Sequence, residues 1–181
     1  MPCFTVDWFT TSMPHIHRSI GERRVQRILE IGSFEGRSTC WFLDTFPDAR
    51  VTCVDTFAGS IEHAEAGMDV SDLYERFLEN TKPYGDRETV LRGPSNVMLH
   101  GLAAKSFDVV YLDGSHEASD VLSDLVMAVG LLRPGGVLLI DDYNQSAFPG
   151  IRQVVDFVRD VWSARLECIH AGYQIHFLLR E

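Results

Sequence analysis

Four short apolar runs in this chain end on acidic side chains: Glu30 in RILEIGSFEG, Asp55 in VTCVDTF, Asp113 in VVYLDGSH, and the pair Asp141 and Asp142 in VLLIDDY. Runs that are near-continuous in Val, Ile, Leu and Phe suit strands covered on both faces, the condition of a parallel sheet. Such a sheet binds ligands at the carboxyl ends of its strands, near the point where strand order reverses. The carboxylates therefore converge on one crevice, and that crevice is suited to a positively charged ligand.

The alternation continues along the chain as a series of βα units. Strands are expected at 25–32, 50–55, 88–92, 107–113, 136–141, 165–170 and 173–180, the first five covered on both faces. Helices are expected at 36–46, 70–80, 95–101, 117–131 and 149–162. Ser115 opens the fourth helix, and Pro134 with Gly135 and Gly136 punctuates its exit. Only a turn around Ala171 and Gly172 separates the last two strands, so they form an antiparallel hairpin. The connection over 58–87, which holds His63, is long for a βα loop and is read as a surface excursion or a substrate lid. Residues 1–22, with Trp8 and Phe9, are expected to form a short helical cap, with His15 and His17 at the surface.

A chain of 181 residues with 45% apolar side chains, 11 Phe and 3 Trp has material for one core, and one domain over 1–181 is expected. The formal net charge of -10, without a Lys or Arg run, argues against nucleic acid or an anionic membrane as partner. A small neutral or cationic ligand fits better. Cys3, Cys40, Cys53 and Cys168 show neither zinc-site spacing nor disulfide density, and are expected as reduced core residues. No segment approaches the roughly 18 apolar residues of a membrane span and no charged start leads into an apolar run, so the expected compartment is the cytoplasm.

Between the first strand and its helix, Gly32 and Gly36 remove Cβ atoms where a ligand approaches the backbone. A dinucleotide fingerprint would read G-x-G-x-x-G with a pyrophosphate on the helix amides. Here Glu30 and Glu35 flank the turn, which repels a diphosphate and favours a ligand bearing an ammonium and a sulfonium. Asp55, at the end of the second strand, is placed to accept from both ribose hydroxyls, with helix capping as its competing role. Phe57 is expected to pack on a purine, and Ser95 and Asn96 to meet the adenine edge. No P-loop, zinc signature or Gly-x-Ser-x-Gly elbow is present.

In this order and spacing the motifs resemble the class I S-adenosylmethionine-dependent methyltransferases, from residue 23 to the end. The resemblance implies a Rossmann-like three-layer α/β sandwich with a seven-stranded, mostly parallel sheet of order 3-2-1-4-5-7-6, strand 7 antiparallel. It also implies that Glu30, Gly32, Ser33, Phe34, Gly36, Ser38, Asp55, Thr56, Phe57, Ser95, Asn96 and Asp113 bind S-adenosylmethionine. YLDGSH and LLIDDY look most like the small-molecule O-methyltransferases of catechol, caffeoyl-CoA and macrolide-sugar types. By that resemblance Asp113, Asp141 and Asp142 hold a divalent metal, and oxygen ligands suit Mg²⁺, Mn²⁺ or Ca²⁺.

Three carboxylates at neighbouring strand ends repel one another unless one is protonated or a cation sits among them. A bound Mg²⁺ would chelate a diol-like acceptor, lower its hydroxyl pKa and align it for attack on the sulfonium methyl. The competing role for Asp141 and Asp142 is loop capping with pairing to Arg152 or Arg133. His116 stands where catechol-type enzymes carry a lysine base and, with Asp113, forms the expected catalytic pair; a helix-start residue bonded to Glu117 or Asp120, or a cofactor contact, is the alternative. Tyr143 and Asn144 follow as candidate pocket residues. The leader is shorter than in catechol-type enzymes, so the acceptor site is expected to be open, shaped by 58–87, or completed by a second subunit of a homo-oligomer. The expected activity is metal-assisted O-methylation of a small-molecule hydroxyl on a sugar, polyketide or phenol. Alternatives are a cofactor-binding partner subunit without turnover and a metal-independent N-methyltransferase.

Overall fold

Seven strands form one sheet: β1 (Arg27–Ile31), β2 (Arg50–Asp55), β3 (Glu88–Arg92), β4 (Phe107–Leu112), β5 (Leu132–Ile140), β6 (Leu166–Ala171) and β7 (Ile175–Leu179). Their spatial order is β3-β2-β1-β4-β5-β7-β6. The pairings from β3 to β5 are parallel, and β7 runs antiparallel to both β5 and β6, as the hairpin turn requires. These features come from a computed structural model that describes residues 2–180, without the side chains at 61 and 62.

Helices α1 (Met13–Ile20), α2 (Arg37–Thr45), α3 (Ile61–Glu65), α4 (Leu73–Thr81), α5 (Ser95–Met98), α6 (Ala118–Leu131) and α7 (Pro149–Val161) complete the fold. Adjacent residues of a strand point to opposite faces. On β1 and β4, Leu29 and Val110 join a core with Leu125, Ala128, Val155 and Val158 of α6 and α7. Ile28, Val109 and Tyr111 join the opposite core with Ile16, Ile20, Phe42 and Phe77 of α1, α2 and α4. All six residues of β4 are buried, the signature of a central strand with helices on both sides. β3 departs from the expected double coverage: it lies at the sheet edge and is only half-buried, with Glu88 and Arg92 at its ends.

The expected cap is helix α1, which begins with Pro14 in its first turn and buries Ile16, Ser19 and Ile20, while His15 and His17 stay exposed. Cys40 and Cys53 are buried as expected, but Cys3 and Cys168 are exposed because they sit on the leader and the edge strand β6. Among the described residues no helix is long and apolar enough to cross a membrane.

β1 has β2 on one side and β4 on the other, so the chain leaves the centre of the sheet in both directions. The loops after β1 and β4 consequently splay apart above the strand ends, and the crevice opens between them.

Candidate active site

Asp55 organises the loop after β1. Its Oδ2 accepts the backbone N–H groups of Ser33 at 2.7 Å and Phe34 at 2.9 Å, and its Oδ1 accepts that of Phe57 at 2.7 Å. Hydrogen bonds to a charged acceptor contribute about 1.5–3 kcal/mol each. They hold Phe34 in the left-handed region, at φ 46°, which a bulky residue adopts only under constraint.

Three expected cofactor residues lie outside the crevice. Glu30 is fully buried beneath the loop, where the hydroxyls of Ser33 (2.8 Å) and Thr39 donate to its Oε2. Burial pushes its carboxyl up, so it offers no exposed charge to an ammonium. Phe57 points away from the crevice and packs on Tyr74 and Phe77 at 4.9 and 5.0 Å between ring centres. Gly36 makes room for α4: a Cβ there would lie 3.0 Å from Thr81 and 3.1 Å from Phe77. Glu35 does not repel anions as expected either, because Arg76 pairs with it at 2.7 Å and Thr5 donates to both its oxygens.

The remaining expected residues line two adjoining cavities. One, about 380 Å³, is walled by Asp55, Thr56, Ser95 and Asn96. The other, about 530 Å³, takes Ser33 and Ser38 from the first loop together with Asp141 and Asp142. Gly32, Phe34, Asp113 and His116 border both. Trp8 of the leader and Ser60, His63, Ala66 and Met68 of the long connection wall the larger cavity. There Phe34 stacks on His63 at 4.8 Å with a 6° interplanar angle, and Trp8 lies 5.5 Å from Phe34. Arg37 also borders this cavity and faces Asp7 at 3.6 Å.

Asp113, His116 and Asp142 meet at the junction of the cavities, with one ligand atom from each lying within 4.8 Å of the others. His116 Nε2 is 3.1 Å from Asp142 Oδ2, and the imidazole stacks on Phe148 at 3.9 Å. Asp142 is held at φ 54°, and Tyr173 donates its hydroxyl to Oδ1. Burial, then the charges of Asp141 and Asp142, push the Asp113 carboxyl well above the usual carboxylate range. Neither candidate arginine compensates this charge: Arg133 pairs with Asp108, and Arg152 with Asp156 at 3.6 Å. Two carboxylates and an imidazole at this spacing fit a divalent cation.

Asp141, the third expected ligand, is engaged elsewhere. Its Oδ2 accepts from Tyr111 and from Gln174 at 2.8 Å, and its Oδ1 accepts the Asp142 N–H at 2.8 Å. The third side chain within 4.8 Å of Asp113 and Asp142 is His116. Tyr143 is buried and donates to Asp156 at 2.8 Å, away from the cavities, and Asn144 bonds Gly172 O at 2.7 Å.

Sequence reasoning passed over Tyr111, Gln174, Tyr173 and Asp124. Tyr111 was accessible, since it precedes Asp113 by two and shares its face of the strand. Asp124 carried a signal too, as a carboxylate on the apolar stripe of α6 beside Val121, Leu125 and Ala128. Gln174 and Tyr173 lie in a hairpin turn with no such pattern.

A family model described as a methyltransferase domain matches residues 29–143. The O-methyltransferase hkm8 of Aspergillus hancockii is 30% identical over 147 residues, which cover 80% of this chain and 51% of that protein. The chain spans about half the length of the curated O-methyltransferases it matches. Among solved structures, cofactor-bound Rv0187 from MTB superimposes with a TM-score of 0.73 at 21% identity, covering 98% of this chain and 84% of that one. The MycE methyltransferase from the mycinamycin biosynthetic pathway, in complex with Mg and SAH, gives 0.66 at 18% identity, covering 97% and 51%.

Proposed function

Because the chain belongs to the methyltransferase-domain family, we propose that it transfers a methyl group from S-adenosylmethionine to a hydroxyl of an uncharged small molecule, assisted by a divalent cation. The convergence of Asp113, His116 and Asp142 beside the loop that Asp55 organises carries this reading. The adenosine end of the donor occupies the cavity of Asp55, Ser95 and Asn96, and its methionine end passes Gly32 toward Ser33 and Ser38. The sulfonium then faces the acidic cluster, whose negative charge favours it. A Mg- and SAH-bound structural neighbour supports the same pairing of donor and cation.

Asp113 and Asp142 would hold the cation, which when bound would lower the pKa of the acceptor hydroxyl. His116 receives the acceptor's proton, its ring plane set by Phe148 and its Nε2 by Asp142. The rings of Trp8, Phe34, His63 and Phe148 exclude water and grip a ring-shaped acceptor. Among the described residues Arg37 is the one arginine or lysine of this cavity wall, and it faces Asp7, so the wall does not favour a phosphate. A neutral sugar, polyketide or phenol suits this wall.

A transfer assay over glycoside, polyketide and phenol panels, with and without EDTA, tests the proposal. Turnover that stops with EDTA and returns with Mg²⁺ or Mn²⁺ is expected. Full activity in the presence of EDTA removes the cation, and no thermal stabilisation by S-adenosylhomocysteine removes the donor.

A further inference from the structure

A line of buried polar side chains runs from the inner face of α1 to the acidic cluster. Ser19 Oγ lies 2.7 Å from His176 Nδ1, His176 Nε2 lies 3.0 Å from Gln174 Oε1, and Gln174 Nε2 donates to Asp141 Oδ2 at 2.8 Å. His176 is 0% exposed and Gln174 2%, so both rely on polar neighbours in place of water, and the His176 ring also lies 4.7 Å from that of His170, with His15 beyond it. At Asp141 the line divides. Tyr111 shares its hydroxyl between Asp141 and Asp113, 2.9 Å from the latter, and the Asp142 N–H bonds Asp141 Oδ1.

The chemistry of each group sets the direction of every bond. Asp141 Oδ2 accepts the Gln174 NH₂, which turns the amide oxygen to His176. That oxygen only accepts, so His176 carries its proton on Nε2, and its bare Nδ1 accepts the Ser19 hydroxyl. Reversing the amide would set its oxygen against the carboxylate. Burial pushes His176 down to about 3, which keeps the imidazole neutral and able to play both parts.

We propose that Gln174 and His176 are positioning residues that lock Asp141 in one orientation and, through it, present Asp113 and Asp142 for cation binding. The cation half of this inference rests on the proposed function; the tautomer of His176 does not. Neither residue touches donor, acceptor or cation. Their influence passes through the Tyr111 hydroxyl to Asp113, and through the Asp141–amide bond to Asp142, whose left-handed backbone that bond helps to hold.

The test combines ¹⁵N NMR of the histidine side chains with calorimetric titration of Mn²⁺ and, separately, S-adenosylhomocysteine. His176 in the unmodified protein is expected to show a protonated Nε2 and a bare Nδ1 from about pH 5.5 to 8, a range in which an ordinary imidazole titrates. Gln174→Met keeps the volume and removes both bonds; it should weaken Mn²⁺ about 10–100-fold, as loss of a ligand's supporting partner does, and leave S-adenosylhomocysteine within about twofold. Ser19→Ala should shift the His176 resonances and weaken Mn²⁺ in the same direction by less, and it carries the test if Gln174→Met does not fold. A proton on Nδ1, or unchanged Mn²⁺ affinity in a folded Gln174→Met protein, overturns the proposal. An unmodified protein that binds no Mn²⁺ overturns it together with the metal reading, and that failure is told apart because it appears before any substitution is made.

Discussion

A Cβ placed on Gly32 would lie 1.9 Å from the carbonyl oxygen of Asp113, so the loops after β1 and β4 touch backbone to backbone. The contact joins the loop after β1 to the acidic cluster, and at φ 85° it requires glycine twice over. Gly32→Ala is expected to cost about 3 kcal/mol or more, the range of overpacked sites and strained backbones. Thermal unfolding and S-adenosylhomocysteine titration measure it. A variant that keeps native stability and affinity would show that the loops part freely.

Asp55 serves the loop amides with one oxygen and Phe57 with the other. Asp55→Ala leaves the Ser33 and Phe34 N–H groups unpaired and is expected to weaken S-adenosylhomocysteine at least about tenfold, the effect of losing one charged hydrogen bond's net contribution. Asp55→Asn, which keeps one acceptor oxygen, should fall between. Isothermal calorimetry on the two variants orders them.

His116 Nε2 lies 3.1 Å from Asp142 Oδ2, and the proposed proton transfer depends on this pair. With acceptor and Mg²⁺ saturating, His116→Gln should lower kcat by about 10²–10⁴, the usual contribution of a general base. Mn²⁺ affinity measured on the same variant separates the roles: a base leaves it nearly intact, whereas a ligand takes it away.

Asp124 is buried on α6 with one carboxylate oxygen that has no hydrogen-bond partner among the described residues, and burial lifts its carboxyl to about 6. The unfolded chain releases this proton near 3.8. Between the two values the folded state holds a proton that the unfolded state has lost, so stability falls as pH rises through that window, and the full penalty stands above it. Asp124→Asn removes the ionisation and keeps the side chain's size and shape. Its melting temperature should exceed that of the unmodified protein near pH 8, with the difference gone below about pH 4; equal curves at both would show that Asp124 ionises without cost.

The strand-end carboxylates and the βα alternation were legible because they are local. An apolar run of five or six residues reports its own burial, and a turn as short as the one at Ala171 and Gly172 leaves a hairpin as the only return path. The solvation of each carboxylate was not legible. Glu30, Asp55, Asp113 and Asp141 look alike as strand endings, yet one is enclosed by hydroxyls, one is spent on backbone amides, one is half open to both cavities, and one is locked by a glutamine.

From sequence alone came the sheet, its reversed strand and the rim where negative charge collects, since side-chain periodicity and turn length act over a few residues. Tertiary structure alone chose which of those charges face the crevice. The groups that neutralise or turn them arrive from far along the chain, Arg76 from 41 residues beyond Glu35 and Gln174 from 33 beyond Asp141. A carboxylate's environment is set by whatever packs around it in space, which no local pattern encodes.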